Sequence, residues 1–279
     1  MTGHYDDAVQ TAREYYNSED ADNFYYHIWG GEDLHIGLYK SDSESIRDAS
    51  ERTCHHMMDM LKNIDENSYV LDVGAGYGGS MRHLARRFGC KSVALNLSEA
   101  ENERDREKNK EQGFDHLIKV VDGDFTQVPY ADETFDLVWS QDAFLHSGNR
   151  EQVFAEAVRV LKPGGELLFT DPMQADDANT QELQPIYDRL HLESLGSPGF
   201  YREQAKKHGL TELGFEDLTH QLTNHYGRVR QELVDREDEL KKEDIVGEEY
   251  IERMKEGLAH WVNGGKGGQL AWGIFHFRK

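Results

Sequence analysis

Five short apolar runs, separated by helical segments, constrain the fold of this chain more than any other feature. Each run has the length and composition of a buried strand, and together they are SYVLDVGA, SVALNLS, IKVVDGDF, TFDLVWSQDA and GELLFTDP. Helices are predicted between the runs: one ends at Gly89, the next begins after the N-cap Ser98, and a third covers Asn149–Leu161. This alternation predicts an α/β fold with a doubly wound, mostly parallel sheet.

The alternation occupies the middle of the chain and defines three predicted parts. Residues 1–67 form an N-terminal helical and aromatic cover, residues 68–172 form the ligand-binding core, and residues 173–279 form a lid and binding region that completes the sheet.

Helices are expected in the cover over residues 4–18 and 45–61. In the last part, an irregular helical lid and a further helix precede a strand over residues 214–222. A long charged helical stretch, Asn224–Gly257, and a final strand over residues 269–279 follow. The sheet is therefore expected to have seven strands.

The composition limits the classes of partner. Acidic side chains number 53 and basic ones 31, a difference of −22, and such a surface repels nucleic acid and anionic membranes. No run of eighteen apolar residues occurs, which excludes a membrane span, and the acidic N-terminus does not resemble a signal peptide. Cys54 and Cys90 form no CxxC pair, so we expect a cytoplasmic protein without a metal site. The acidic residues are spread over the chain rather than concentrated in one tail. This spread favours a protein that works in a salt-rich cytoplasm over one whose acidic surface only keeps it soluble.

Polar and small residues follow the predicted strands at their carboxyl ends. Ligands of doubly wound sheets bind beyond these ends, so one crevice is expected to gather them. The residues concerned are Gly74, Asn96, Asp124, Gln141 and Asp171.

The turn after the first strand reads Gly74-Ala75-Gly76-Tyr77-Gly78-Gly79 and matches GxGxxG. Glycines let the backbone turn tightly and approach a ligand, and the following helix N-terminus favours anions. The motif alone leaves open a dinucleotide site or a turn without a ligand. However, Asp72 ends the strand two residues earlier, and a carboxylate there suits a ligand that carries a cation rather than a pyrophosphate.

Four ordered motifs carry a resemblance to a known family. They are D-x-G-x-G at residues 72–76, Gly123-Asp124-Phe125, FDLVWSQDAFLH at residues 135–146 and VLKPGGELLFTD at residues 160–171. As an ordered set over residues 66–172 they resemble the class I S-adenosylmethionine-dependent methyltransferases. The resemblance implies a Rossmann-like methyltransferase fold with S-adenosylmethionine as cofactor.

The resemblance also implies the cofactor contacts, which are Asp72, Gly74, Ala75, Gly76, Asn96, Leu97, Asp124, Phe125 and Gln141. The turn and Asp72 would lie against the methionine part, and Asp124 would accept a hydrogen bond from the adenine amino group. Asn96-Leu97 departs from the family, in which an acid commonly binds the ribose hydroxyls at this place. An asparagine amide can still bond a hydroxyl group.

Three further segments narrow the resemblance: FYYHIWGGEDLHIGLY, LNLSEAEN and SQDAFLHS. Together they resemble the sarcosine/dimethylglycine N-methyltransferases of glycine betaine synthesis. By this resemblance Asp142 and His146 point toward a small amine acid, and His146 paired with Tyr25 or Tyr26 serves catalysis. The aromatic faces of this segment, including Trp29, suit a methylated ammonium group through cation–π attraction. The alternatives are that the aromatic residues only attach the cover to the core, and that His146 is structural.

An amino-acid acceptor also needs a cation for its carboxylate. Arg202, next to Tyr201, and Arg228 are the candidates, and Met173 is a candidate lining residue. A phosphoethanolamine-type methyltransferase, a nicotinamide oxidoreductase and a non-catalytic binding protein remain alternatives. A monomer or a homodimer is expected.

Overall fold

The computed structural model describes Arg13, residues 17–243 and residues 245–279. Its centre is a seven-stranded sheet in the order β3-β2-β1-β4-β5-β7-β6. The strands are β1 Tyr69–Val73, β2 Lys91–Asn96, β3 Ile118–Asp122, β4 Phe135–Gln141, β5 Leu161–Gln174, β6 Thr211–Asp217 and β7 Leu270–Arg278. β7 runs antiparallel to both β5 and β6, whereas the other described pairs are parallel. The predicted fold class is thereby confirmed.

Local sequence signals explain the helices of the core. Helix α3, Gly79–Phe88, ends at Gly89, which adopts the left-handed conformation with φ of 70°. Helix α4, Glu99–Glu111, begins after Ser98, whose hydroxyl group accepts a 3.2 Å hydrogen bond from Glu101 N. Helix α5, Arg150–Val160, is capped in the same way by Asn149. These caps fix where each chain segment leaves the sheet.

Two helical layers lie outside this core. The N-terminal part contains α1 Glu19–Phe24, a π-helix over Tyr25–Trp29 and α2 Ile46–Met60. The C-terminal part contains α6 Thr180–Leu190, α7 Pro198–Lys207, α8 Thr219–Lys242 and α9 Glu248–Lys266. The helix predicted over residues 4–18 falls largely outside the described residues.

The C-terminal part differs from the prediction in three places. The charged stretch over residues 224–257 is two helices, α8 and α9, because the chain turns before Gly247, whose N–H is held by Asp20 at 2.8 Å. Residues 219–222 begin α8 and do not extend the strand. The lid predicted to be irregular contains the regular helix α6, capped by Asn179.

The cover packs on two surfaces: Met57 and Met58 of α2 pack against the sheet, and the segment before α2 packs on α8 and α9. Phe24, Ile28 and Trp29 share a buried cluster with Val229 of α8 and Tyr250 of α9. The cover and the last two helices therefore enclose one side of the sheet edge at which the strands β1, β2 and β4 end. Among the helices that the structure describes, none is long and apolar enough to cross a membrane.

Candidate active site

A cavity of about 700 Å³ lies at the carboxyl ends of the parallel strands. Gly74, Asn96, Asp124 and Gln141 line it, as the strand order predicts. Asp171 does not: it is fully buried and accepts hydrogen bonds from Leu145 N at 2.9 Å and from the Tyr201 hydroxyl group at 2.6 Å. The expectation for Asp171 is therefore corrected.

The glycine turn lets the backbone border this cavity. Gly74 has a φ of 83°, and a Cβ at this position would overlap the Cβ of Ala143. Gly76 has a φ of 53°, and a Cβ there would meet only Leu34 Cδ1, at 3.6 Å. Both packing and backbone conformation therefore require glycine at residue 74. At Gly76 the missing side chain leaves space for a ligand in the cavity.

A second cavity of about 30 Å³ adjoins the first, and Asp72, Ala75 and Gln141 line it. The Asp72 carboxylate accepts no hydrogen bond from the described residues, and burial raises the pKa of this group well above its usual range. Gln141 Oε1 accepts hydrogen bonds from Ser80 Oγ at 2.6 Å and Trp139 Nε1 at 3.0 Å.

The Gln141 Nε2 group is buried without a partner among the described residues. A buried carboxylate and a buried amide donor thus meet beside the glycine turn. They fit a ligand end that carries both an ammonium and a carboxylate, which is the methionine end of S-adenosylmethionine.

An acid lines the cavity beside the end of β2, where the sequence has asparagine. Asn96 Nδ2 donates a 2.8 Å hydrogen bond to Glu101 Oε2, and both residues line the cavity. Burial raises the pKa of Glu101 to about 7. A carboxylate from the first turn of α4 therefore lies beside the end of β2, where the resemblance led us to expect an acid on the strand itself.

The remaining predicted cofactor residues, Leu97, Asp124 and Phe125, also line the cavity. Asp124 accepts a 2.8 Å hydrogen bond from Thr126 N, which fixes its carboxylate at the end of the loop after β3. Phe125 also packs against the main core cluster.

Asp142 follows β4 with a φ of 53°, an uncommon conformation for a residue other than glycine. Its carboxylate accepts hydrogen bonds from Ile36 N at 2.7 Å, Trp272 Nε1 at 2.8 Å and Thr170 Oγ1 at 2.8 Å. Burial raises the pKa of Asp142, while these donors favour the ionised form. A positioned carboxylate thus faces the cavity.

His146 ends the short 3₁₀ turn Phe144–His146 and lines the same cavity. Burial lowers the pKa of His146 to about 4. The imidazole is therefore neutral at ordinary pH and does not repel a cationic amine.

Aromatic side chains form the part of the cavity away from the glycine turn. Tyr25 and Trp29 line it from the cover, with their rings 5.2 Å apart. Tyr226 and Trp261 line it from α8 and α9, stacked at 4.9 Å. Trp29 also packs in the cluster that attaches the cover, so it serves both of the roles considered for this segment.

The structure places two predicted residues elsewhere. Tyr26 is 40% exposed, and its ring lies under the guanidinium of Arg104 at 4.8 Å, because the π-helix turns it away from Tyr25. Met173 is fully buried in the main core cluster, because the side chains of β5 alternate, and the preceding Pro172 lines the cavity instead.

Three predicted carboxylate-end residues also lie away from the cavity. Tyr201 is fully buried and is bonded to Asp171. Arg202 pairs with Glu212 at 3.2 Å near the surface, and Arg228 pairs with Glu232 at 3.1 Å. Both expectations for an arginine are corrected, because local carboxylates of this acidic chain engage these two guanidinium groups.

The sequence analysis missed many of the residues that line the cavity, among them Glu101, Arg189, Tyr226 and Trp261. Glu101 had a signal, since Ser98-x-x-Glu101 is the pattern of a helix-capping box. The other three lie on α6, α8 and α9, and no motif marks them.

Comparisons with known proteins agree with this geometry. A family profile described as a methyltransferase domain matches residues 71–169. A sarcosine/dimethylglycine N-methyltransferase of Halorhodospira halochloris is 63% identical over 280 residues, covering 100% of both chains. The enzyme of the same name from Aphanothece halophytica is 50% identical over 98% of each chain.

The likeness extends to a solved structure. The crystal structure of a protein from Galdieria sulphuraria, named as a sarcosine dimethylglycine methyltransferase, superposes with a TM-score of 0.89 at 42% identity. The match covers 95% of this chain and 98% of that chain. With the glycine turn, the buried Asp72 and this full-length similarity, the chain belongs to the family of S-adenosylmethionine-dependent methyltransferases that includes the sarcosine/dimethylglycine N-methyltransferases.

Proposed function

We propose that this methyltransferase methylates the nitrogen of sarcosine and of dimethylglycine, towards glycine betaine. The observation that carries the proposal is one continuous cavity in which the cofactor residues meet Asp142, His146 and aromatic side chains. The names of the full-length relatives support the same acceptors. The alternative acceptor is phosphoethanolamine, since Arg189 and Arg253 line the described cavity and a guanidinium group binds phosphate as well as carboxylate.

The residues near the glycine turn hold the cofactor in this proposal. Asp72 and Gln141 would hold the methionine end, Asn96 and Glu101 the ribose, and Asp124 the adenine amino group. When bound, S-adenosylmethionine supplies a methyl group on a positively charged sulfur that leaves as a neutral thioether.

Asp142 and the aromatic rings act on the charge of the acceptor. Methylation would place a positive charge on the acceptor nitrogen, because its lone pair becomes the new bond to carbon. The half-buried Asp142 carboxylate and the ring faces of Tyr25 and Trp29 stabilise that charge. Their positions are held by hydrogen bonds and packing before the acceptor binds, so little reorganisation is needed.

His146 acts on the proton of the acceptor. An ammonium has no lone pair, so it must lose a proton before it attacks. A neutral His146 accepts a hydrogen bond from the ammonium and orients it, but its low pKa makes the ring a poor base, so the proton leaves to solvent before the attack. Tyr25 lines the same cavity and is the aromatic hydroxyl group that would lie beside the acceptor.

A panel of acceptors tests the proposal. Purified enzyme is given labelled S-adenosylmethionine with glycine, sarcosine, dimethylglycine or phosphoethanolamine, and the methylated products are identified by mass spectrometry. Product from sarcosine and dimethylglycine is expected. Product from phosphoethanolamine alone would contradict the proposal.

We also propose that the protein works in a salt-rich cytoplasm and that it is a monomer or a homodimer. The net charge of −22 supports the setting, because salt screens the repulsion among so many carboxylates. Unfolding in rising potassium chloride checks it: stability is expected to increase with salt. Light scattering measures the mass of the particle, and a tetramer would contradict the expected assembly.

A further inference from the structure

The end of the cavity that helices α6, α8 and α9 form contains two arginines that no sequence motif marks, Arg189 and Arg253. Arg189, on α6, lines this end, together with Tyr226 of α8 and Trp261 of α9. The lid after β5 therefore contributes a guanidinium group to the same space that holds Asp142.

Helix α9 provides the room for this guanidinium. A Cβ at Gly257, in the middle of α9, would overlap Arg189 Nη1. Gly257 does not have a positive φ, so its backbone does not require glycine, and glycine weakens a helix interior relative to alanine. The physical effect of this glycine is thus to admit the arginine side chain between α6 and α9.

The guanidinium is positioned but not neutralised. Arg189 Nη1 donates a 3.3 Å hydrogen bond to Arg253 O, and Nη2 contacts Met254 Sδ at 2.6 Å. Within the described part of the chain, no carboxylate forms an ion pair with Arg189, whereas Arg202 and Arg228 each have one. The neighbouring Asp188 also lines the cavity, and its carboxylate accepts a 2.6 Å hydrogen bond from Gln184 Nε2.

Tyr226 links the two charged sides of this space. Burial raises the pKa of Tyr226, the Asp142 carboxylate raises it further and the Arg189 guanidinium lowers it, as expected for a phenol between the two charges. An amino acid with a charged nitrogen and a carboxylate matches this pattern, because each end finds the opposite charge.

We propose that Arg189, admitted by Gly257, binds the carboxylate of the amino-acid acceptor and so selects amino acids over amines without a carboxylate. This inference rests on the proposed function, since it assumes an amino-acid acceptor. A guanidinium group suits the task because its planar donors match the two oxygens of a carboxylate.

The test compares dimethylglycine with dimethylaminoethanol, which has a hydroxyl group in place of the carboxylate. In Arg189→Met the KM for dimethylglycine is expected to rise by about 10- to 100-fold, the range for loss of a charged hydrogen-bond partner. The kcat/KM for dimethylaminoethanol is expected to change little, so the preference for the amino acid falls. Affinity for S-adenosylhomocysteine, measured by calorimetry, is expected to stay unchanged.

Two further variants keep the test decisive. Gly257→Ala favours the helix but displaces the guanidinium, so it is expected to raise the same KM even if Arg189→Met folds poorly. Arg230→Met is the matched control: Arg230 bonds only a backbone oxygen, Lys255 O, and does not line the cavity, so its kinetics are expected to match the wild type.

The outcomes separate the inference from the proposed function. A wild-type enzyme that methylates no amino acid contradicts the proposed function. A wild-type enzyme that methylates dimethylglycine, with an unchanged preference in both Arg189→Met and Gly257→Ala, overturns the role of Arg189 alone.

Discussion

Asn96 at the end of β2 donates a 2.8 Å hydrogen bond to Glu101 in the first turn of α4, and both side chains border the cavity. Asn96 and Glu101 thus lie together where the family commonly has one acid at the end of the strand. The departure at Asn96 is offset by its neighbour, because the amide orients a carboxylate that can accept hydrogen bonds from two hydroxyl groups.

Glu101→Gln is expected to weaken cofactor binding by about 10-fold, the loss of one charge-assisted hydrogen bond. The pKa of Glu101 is about 7, so its carboxylate forms as pH rises through 7. Wild-type affinity for S-adenosylhomocysteine is therefore expected to increase between pH 6 and pH 8, and calorimetry at several pH values measures it.

The control for this prediction is Glu103→Gln, on the same helix but exposed and outside the cavity. This variant is expected to keep the wild-type affinity and its pH dependence. If Glu101→Gln retains the same pH dependence as the wild type, Glu101 is not the titrating group.

The core of the fold could be predicted because its signals are local. The Gly74 turn, the Ser98 cap and the Gly89 terminus each act within a few residues, so the pattern places strands and helices directly. The cofactor residues follow from the same pattern, since they end neighbouring strands.

The acceptor end could not be predicted in this way, because distant segments create it. Arg189 reaches the cavity only where α6 meets Gly257, more than sixty residues later in the chain. Arg202 and Arg228 were plausible by residue type, but their neighbours Glu212 and Glu232 already bind them. Which carboxylate pairs with which arginine depends on how the helices and strands pack, and a single sequence does not reveal this.

Gly74→Ala is expected to lower the free energy of unfolding by about 3 kcal/mol and to abolish cofactor binding. The left-handed φ of 83° costs about 1–2 kcal/mol for alanine, and overlap with Ala143 adds about 1–3 kcal/mol. Urea denaturation and calorimetry measure the two effects.

Gly164→Ala separates conformation from packing. Gly164 has a similar φ of 81°, but nothing lies within 4 Å of a Cβ built there. Gly164→Ala is therefore expected to lower the free energy of unfolding by only about 1 kcal/mol. Equal losses in the two variants would show that contact with Ala143 does not matter.

Asp142→Asn is expected to reduce kcat for dimethylglycine by about 100-fold, in the range for loss of one preorganised electrostatic contact. The variant removes the negative charge and places an amide NH₂ among donors from Ile36, Thr170 and Trp272. Single-turnover rates measure the effect, with S-adenosylhomocysteine affinity as the readout for an intact cofactor site.

Asp136→Asn is the matched control, because Asp136 lies near the start of β4 and bonds Tyr69 N and Lys162 Nζ away from the cavity. It is expected to alter stability but not the rate of methyl transfer. A similar fall in rate in both variants would indicate a general disturbance of the strand.

Buried histidines are expected to make this protein lose stability in acid. Nδ1 of His225 accepts a 3.2 Å hydrogen bond from Gly37 N, and its Nε2 is buried without a partner among the described residues. Burial lowers the pKa of His225 to about 3 and that of His146 to about 4, against about 6.5 in an unfolded chain. The unfolded state therefore takes up protons first as pH falls below 6.5.

It follows that the stability due to each neutral histidine is complete above pH 6.5 and declines as pH falls towards the folded-state pKa. Each group contributes a slope of about 1.4 kcal/mol per pH unit in this window. Urea denaturation at several values between pH 4.5 and pH 7.5 measures how the free energy of unfolding depends on pH. In His225→Asn this dependence is expected to be shallower by about one such slope. His116→Asn, at an exposed position, serves as the control. An unchanged dependence in His225→Asn would mean that His225 is already protonated in the folded protein, which the donor from Gly37 N to its ring nitrogen opposes.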